Sequence, residues 1–354
     1  MNNVEIDIPP LSCPIPVETQ HERITLGYGE GGYLTRKFIR ERLLPRFDNL
    51  TLRQLGDAAI LDIESRRIVF TTDCYTVTPL FFPGGDIGKL AVFGTVNDLA
   101  VSGAIPRWLS LSLVIEEGLA WKTLDRVLDS IQAAAASACV MIVTGDTKVV
   151  PRGAVDQLFI TTSGIGELEA KAPPGPELLR DGDVLIASGP IGCHGASILC
   201  AREHLEFDPI PTSDCADVTA PLVALQRAGV APRAIRDATR GGIAAILQEW
   251  AESSRQSCVI EETLIPLNAE VRSLCELLGL DPLHLANEGT FVLATAPQFV
   301  ERTMKILHQH AVSSRATVIG KITPRRVAPV MVVRGIGREV VLDEPIGAPL
   351  PRIC

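Results

Sequence analysis

TTDCYTVTPLFFPGGDIGKLAVFGTVNDLAVSGA, residues 71–104, is the stretch whose reading decides the fold. A β-branched run over 68–72 predicts a strand that ends at Asp73. The turn Phe81-Phe82-Pro83-Gly84-Gly85-Asp86 then leads into 87–103, small and apolar with helical spacing, which predicts a helix carrying Asn97 and Asp98. Upstream, 59–63 reads as a partner strand across the turn 64–67. Downstream, 108–115 reads as a strand, 121–138 as a helix, 140–144 as a buried strand and 157–166 as another strand. The segment 171–182, KAPPGPELLRDG, holds three prolines and two glycines and marks the domain boundary. Beyond it, segments at 184–188, 195–202, 216–228, 243–251, 291–295, 297–308 and 318–322 alternate strand and helix patterns. The expectation is an α/β (α+β) protein of two domains, which 354 residues at 46% hydrophobic content also favour.

Composition narrows the function. The net charge is −9 and no Lys/Arg stripe is present, so nucleic acid is not expected as a partner. No uninterrupted apolar stretch is long enough to span a membrane, and residues 1–18 do not read as a signal peptide. Nine scattered cysteines without a CxxC pair point to a cytoplasmic protein without a disulfide framework or zinc site. An acidic protein that handles phosphates must use backbone N–H groups, a few cations, or metal held by carboxylates.

Several motifs suit that last option, and each also has an ordinary reading. Gly27, Gly29, Gly31 and Gly32 precede an amphipathic pattern at 33–44; glycines ahead of a helix can cradle a phosphate, and equally form a plain turn. Asp57, Asp73, Asp98 and Asp146 each stand beside an apolar segment. Singly they fit caps and turns; together they suggest one metal–nucleotide site. Asp86 and Lys89 open the 87–103 helix, either as nucleotide contacts or as a capped helix start. Lys148, in Thr144-Gly145-Asp146-Thr147-Lys148, could neutralise phosphate or act as a base, or simply face solvent. Asp237-Ala238-Thr239-Arg240-Gly241-Gly242 suits an anion at a helix start, and Glu288 in Asn287-Glu288-Gly289 could be a general base or a turn carboxylate. The chain ends Pro351-Arg352-Ile353-Cys354, a thiol at the tip of a proline-rich segment.

These residues together resemble the HypE family of hydrogenase maturation factors, within the PurM-like superfamily of aminoimidazole ribonucleotide synthetase, selenophosphate synthetase and thiamine-monophosphate kinase. The resemblance runs from about residue 24 to Cys354. It is most specific at 71–103, at Val143–Val150, at 237–242 and in the Pro-Arg-Ile-Cys ending, which sets HypE apart from its relatives. Tyr28 stands where the family usually has His, and Glu30 where it usually has Ser.

The resemblance implies a two-domain PurM-like fold: an arm over 1–22, an ATP-binding domain over 23–170, a second domain over 171–343, and a mobile tail over 344–354. The N-terminal sheets of two subunits would pair in a homodimer. It implies ATP-dependent dehydration of an S-carbamoyl group on Cys354 to a thiocyanate, with HypF as carbamoyl donor and the HypC–HypD complex as acceptor, for the iron of [NiFe] hydrogenase. It places Mg²⁺ on Asp57, Asp73, Asp98 and Asp146, nucleotide on Gly29, Gly31, Gly32, Asp86, Lys89, Asn97 and Asp237, and proton removal on Lys148 and Glu288. Two alternatives are another PurM-like kinase or synthetase, whose activity needs no terminal thiol, and a non-catalytic thiol carrier, which would hydrolyse no ATP.

Overall fold

The computed structural model describes residues 32–38, 40–41, 52–55, 59–63, 66–169, 171–335 and 337–344. Strand β2 (Arg66–Tyr75) runs past the expected end, so Asp73 lies within it. It pairs antiparallel with β1 (Ala59–Ile63) and with β7 (Leu158–Glu167). Two further strands, β5 (Ile105–Glu116) and β6 (Met141–Val150), complete a five-stranded sheet in the order β1-β2-β7-β5-β6. β5 and β6 are parallel, which requires a crossover, and α3 (Trp121–Ser137) supplies it.

The expectation of a buried strand at 140–144 is corrected. β6 is one of the sheet's two edge strands, and its apolar side chains stand open: Met141 is 61% exposed, Val143 59% and Val149 64%. It also continues through Asp146 and Lys148, so these are strand residues rather than loop residues.

The short hairpin of β3 (Phe81–Phe82) and β4 (Gly85–Asp86) leads into the helix expected over 87–103, which is α2 (Ile87–Val101), and every residue of α2 but Lys89 and Asp98 is buried. A helix apolar all round must lie inside the molecule. One side of it packs on β2 and β7. Its neighbours elsewhere are α3, α5 (Thr219–Arg227) and β9 (Ala234–Asp237). Leu90 and Val96 join a core with Leu109 and Ile160, whereas Ala100 and Val101 join one with Ile186, Leu222 and Phe291. Packing therefore joins the two sheets through α2 itself.

The second sheet has the order β14-β13-β10-β12-β8-β11-β9. Its middle strand is β12 (Thr317–Thr323), followed on one side by β8 (Val184–Ala187), β11 (Phe291–Thr295) and the edge strand β9, with β11 buried at every position. On its other side stand, in order, β10 (Ser257–Glu261), β13 (Val330–Arg334) and β14 (Arg338–Val341). The helices α6 (Gly242–Ser254) and α8 (Val300–Leu307) pack on this sheet, whereas α4 (Cys193–Glu203) and α7 (Ala269–Leu278) pack on each other. β9, β10, β13, β14 and α7 have no counterpart in the sequence reading. The pattern at 216–228 becomes helical only from Thr219, because the preceding segment is held open. Ser213 N–H donates to Pro83 O at 2.9 Å, Ala216 N–H to Glu288 O at 3.3 Å, and Val218 N–H to Asn97 Oδ1 at 3.0 Å.

Candidate active site

The joint between the sheets gathers carboxylates from both halves of the chain. From the first come Asp73 on β2 and Asp98 on α2, both half-buried. The backbone N–H of Cys74 donates to Asp73 Oδ1 at 2.9 Å, and Thr71 Oγ1 donates to Asp98 Oδ2 at 2.8 Å. From the second come Glu288, in the turn before β11, and Asp237 at the end of β9, both buried, with half-buried Asp214. β9 and β11 pair so that Asp237 lies opposite Phe291.

Burial pushes the Glu288 carboxyl well above its ordinary value; Asp237, Asp214 and Asp73 push the same way, and Arg240 opposes them. Burial likewise raises the Tyr75 phenol, with Asp73, Asp98 and Glu288 adding to it. Tyr75 thus feels negative groups from both halves at once. The Asp214 carboxyl is raised by burial, partly offset by the N–H groups of Glu288 and Gly289 that donate to it.

Asn287 braces this turn. Its side chain accepts from Gly192 N–H at 2.7 Å and donates to Ala238 O at 2.8 Å and Leu285 O at 3.2 Å. Gly289 is required by close approach: a Cβ there would lie 1.9 Å from Asp214 O.

Other expected site residues are placed differently. Asp146 and Lys148 are exposed on β6. The register Asp73–Thr162–Leu111–Gly145 puts the Asp146 neighbourhood three strands from Asp73, about 14 Å away at normal strand spacing. The expected set of metal-ligating carboxylates is therefore not assembled within one chain. Among the described residues no three His, Cys, Asp or Glu side chains are grouped to hold a metal ion.

Asp86 immediately precedes α2. It is the N-cap of α2, its Oδ1 accepting from Gly88 N–H at 2.8 Å and Lys89 N–H at 3.1 Å, while Oδ2 accepts from Ser130 at 2.7 Å. Lys89 Nζ donates to Gly84 O at 3.0 Å. Asp86→Ala is expected to lower stability by about 1–2 kcal/mol, the usual cost of a lost cap, and to leave ATP affinity unchanged; denaturant midpoints and calorimetric titration check both.

Asn97 Nδ2 donates to Ala216 O and Glu288 O, so the amide expected on nucleotide is engaged with backbone. Gly32 is buried and its carbonyl accepts from Arg36 N–H, at the start of α1 (Tyr33–Phe38). Gly29, Gly31, Asp57 and Cys354 lie outside the described residues. The sequence reading missed Asp214, which stands in an aperiodic stretch. It named Asn287 without giving it a role; the Asn-Glu-Gly triplet itself was the available signal.

Comparison with known proteins follows the same outline. The AIR synthase related protein family matches twice, its N-terminal domain over residues 55–168 and its C-terminal domain over 180–332. Carbamoyl dehydratase HypE of Escherichia coli (strain K12) is 45% identical over 336 residues, covering 94% of this chain and 99% of that protein. A HypE–HypF complex contains a chain of TM-score 0.82 and 40% identity, covering 87% of this chain and 99% of that one. HypE in complex with ATP gives TM-score 0.78 at 41% identity, covering 94% and 100%. Among the described residues, no helix is long and apolar enough to cross a membrane.

Proposed function

Since this chain belongs to the AIR synthase related family, and within it to the HypE carbamoyl dehydratases, we propose that it dehydrates a carbamoyl group on its own Cys354 at the expense of ATP, in hydrogenase maturation. A HypF-like protein supplies the carbamoyl group as a thiocarboxamide. The γ-phosphoryl group of ATP moves to the carbamoyl oxygen and releases ADP. Loss of the nitrogen-borne protons and cleavage of the C–O bond then release phosphate and leave S–C≡N. The cyano group passes to a HypC–HypD complex for the [NiFe] hydrogenase iron. The setting is the cytoplasm.

One observation carries the reading: the buried carboxyl of Glu288 meets the field of Asp73 across the domain joint. A carboxyl whose proton affinity is raised above the ordinary carboxylate range suits removal of a proton from nitrogen. Asp73 and Asp98 are assigned to Mg²⁺, which is commonly held by one or two carboxylates, phosphate oxygens and water. The accumulation of negative charge around Tyr75 supports a cation there. Mg²⁺ would neutralise phosphate charge during transfer. Gly29, Gly31, Asp57 and Asp237 are assigned to the same nucleotide site.

A homodimer formed through β6 is supported by its open edge and its exposed Met141, Val143 and Val149. Lys148 and Asp146 lie on that edge, so pairing would bring them to a shared site. Intact-mass measurement tests the function. With the carbamoyl donor protein the chain is expected to gain one carbamoyl group, and with ATP it is expected to lose one water. Carbamoylated chain whose mass ATP leaves unchanged would overturn the reading.

A further inference from the structure

Glu288 is held by its main chain from two distant parts of the sequence. Its N–H donates to Asp214 Oδ1 at 3.0 Å, and the next N–H, of Gly289, donates to Asp214 Oδ2 at 3.0 Å. Its C=O accepts from Asn97 Nδ2 at 3.2 Å. One carboxylate and one amide therefore fix both peptide groups that flank the Glu288 side chain.

Both clamps are anchored in turn. Asn97 is 2% exposed on α2, and its two ends also bind Ala216 O and Val218 N–H. Asp214 is half-buried in a segment tied down on each side. Ser213 N–H donates to Pro83 O, Ser213 Oγ meets His194 Nδ1 at 2.9 Å and accepts from Cys215 N–H at 3.1 Å, and Ser197 Oγ donates to the same Pro83 carbonyl at 2.8 Å. The chain of bonds runs from the turn before α2, through residues 213–218, to Glu288. The absence of a Cβ at Gly289 is what lets the two segments approach this closely.

Leaving a half-buried carboxylate beside Glu288, with Asp237 and Asp73 also near, is costly for folding. Holding a main chain in place could be done by backbone carbonyls without that cost. The geometry points to Asn97 and Asp214 as positioning residues that fix the Glu288 carboxyl against the first domain for the dehydration step. Asn97 makes the position of this second-domain base depend on the first domain, which carries Asp73 and Asp98. The assignment rests on the dehydratase reading for its chemistry and on this hydrogen-bond network for its geometry.

The test uses the full-length chain with two variants, Asp214→Asn and Asn97→Ser. Asparagine has the shape of aspartate but offers only one acceptor to two N–H donors. Amide hydrogen exchange is followed at Glu288 and Gly289 without ATP, and single-turnover dehydration is followed on chain already carbamoylated. In Asp214→Asn both amides are expected to exchange at least tenfold faster. Turnover per folded molecule is expected to fall about 10- to 100-fold, as for a displaced catalytic group, with the ATP concentration at half-maximal rate changed less than twofold. Asn97→Ser is expected to show the same split, and it keeps the assignment testable if one variant folds poorly. Parental exchange at both amides, or parental turnover in both variants, would overturn it. A parent chain that is carbamoylated but never dehydrated would instead refute the proposed reaction, and the exchange rates would still decide whether the clamp exists.

Discussion

Glu288→Gln is expected to slow dehydration of the carbamoylated chain by about 10²- to 10⁴-fold, the usual contribution of a general base, while carbamoyl addition proceeds at the parental rate. Glutamine keeps the shape of the side chain and cannot take a proton. The parental rate is expected to climb with pH through the raised Glu288 value and then level, because only the ionised carboxyl accepts a proton. The variant lacks that limb.

The same substitution carries a stability signature of opposite sign. Because burial raises the folded-state value, the Glu288 contribution is complete below the ordinary carboxylate range and is lost as pH rises through the folded value. In nucleotide-free, metal-free protein, the Gln variant is therefore expected to melt above the parent at pH 8, the gap closing toward pH 4. Asp73, Asp214, Asp237 and Arg240 are common to both proteins, so the comparison isolates Glu288. Parental turnover in the variant, or a gap that does not change with pH, would count against the base assignment.

Cys354→Ser is expected to abolish carbamoyl addition and, with it, all ATP turnover that depends on the carbamoyl donor. A serine hydroxyl is not ionised near neutral pH, whereas a thiol supplies a nucleophilic thiolate. The described cysteines include exposed Cys74 and Cys139, so peptide mapping must localise the added group. Only ten residues follow Glu344. Fully extended they reach about 33 Å. Glu344 itself is tied to Arg36, and that ion pair sets where the reach begins. A Ser variant that still consumes ATP at the donor-stimulated rate would favour a kinase or synthetase, for which the terminal thiol is irrelevant.

Much of the architecture was legible because the strongest patterns are local. The apolar spacing of 87–101, the β-branched run before Asp73 and the proline-rich 171–182 can each be read without knowing what lies nearby. β6 misled for the converse reason. Its apolar residues look like core, yet they lie on an uncovered edge, and only strand order decides which apolar strand is covered. Asp86 shows the same limit at a single residue, since a cap and a phosphate contact share one sequence signature until Gly88 and Lys89 are seen donating to it.

The amino-acid order alone determined the kinds of chemistry available: carboxylates beside apolar segments, glycine turns at helix starts, a terminal thiol, and enough hydrophobic residues for two domains. Tertiary structure decided which carboxylates meet. Glu288 joins Asp214, Asp237 and Asp73, whereas Asp146 lies three strands away within the same chain. The reason is physical. Helical and strand periodicity is written within a few residues, but a shift in proton affinity depends on burial and charge supplied by segments hundreds of positions apart.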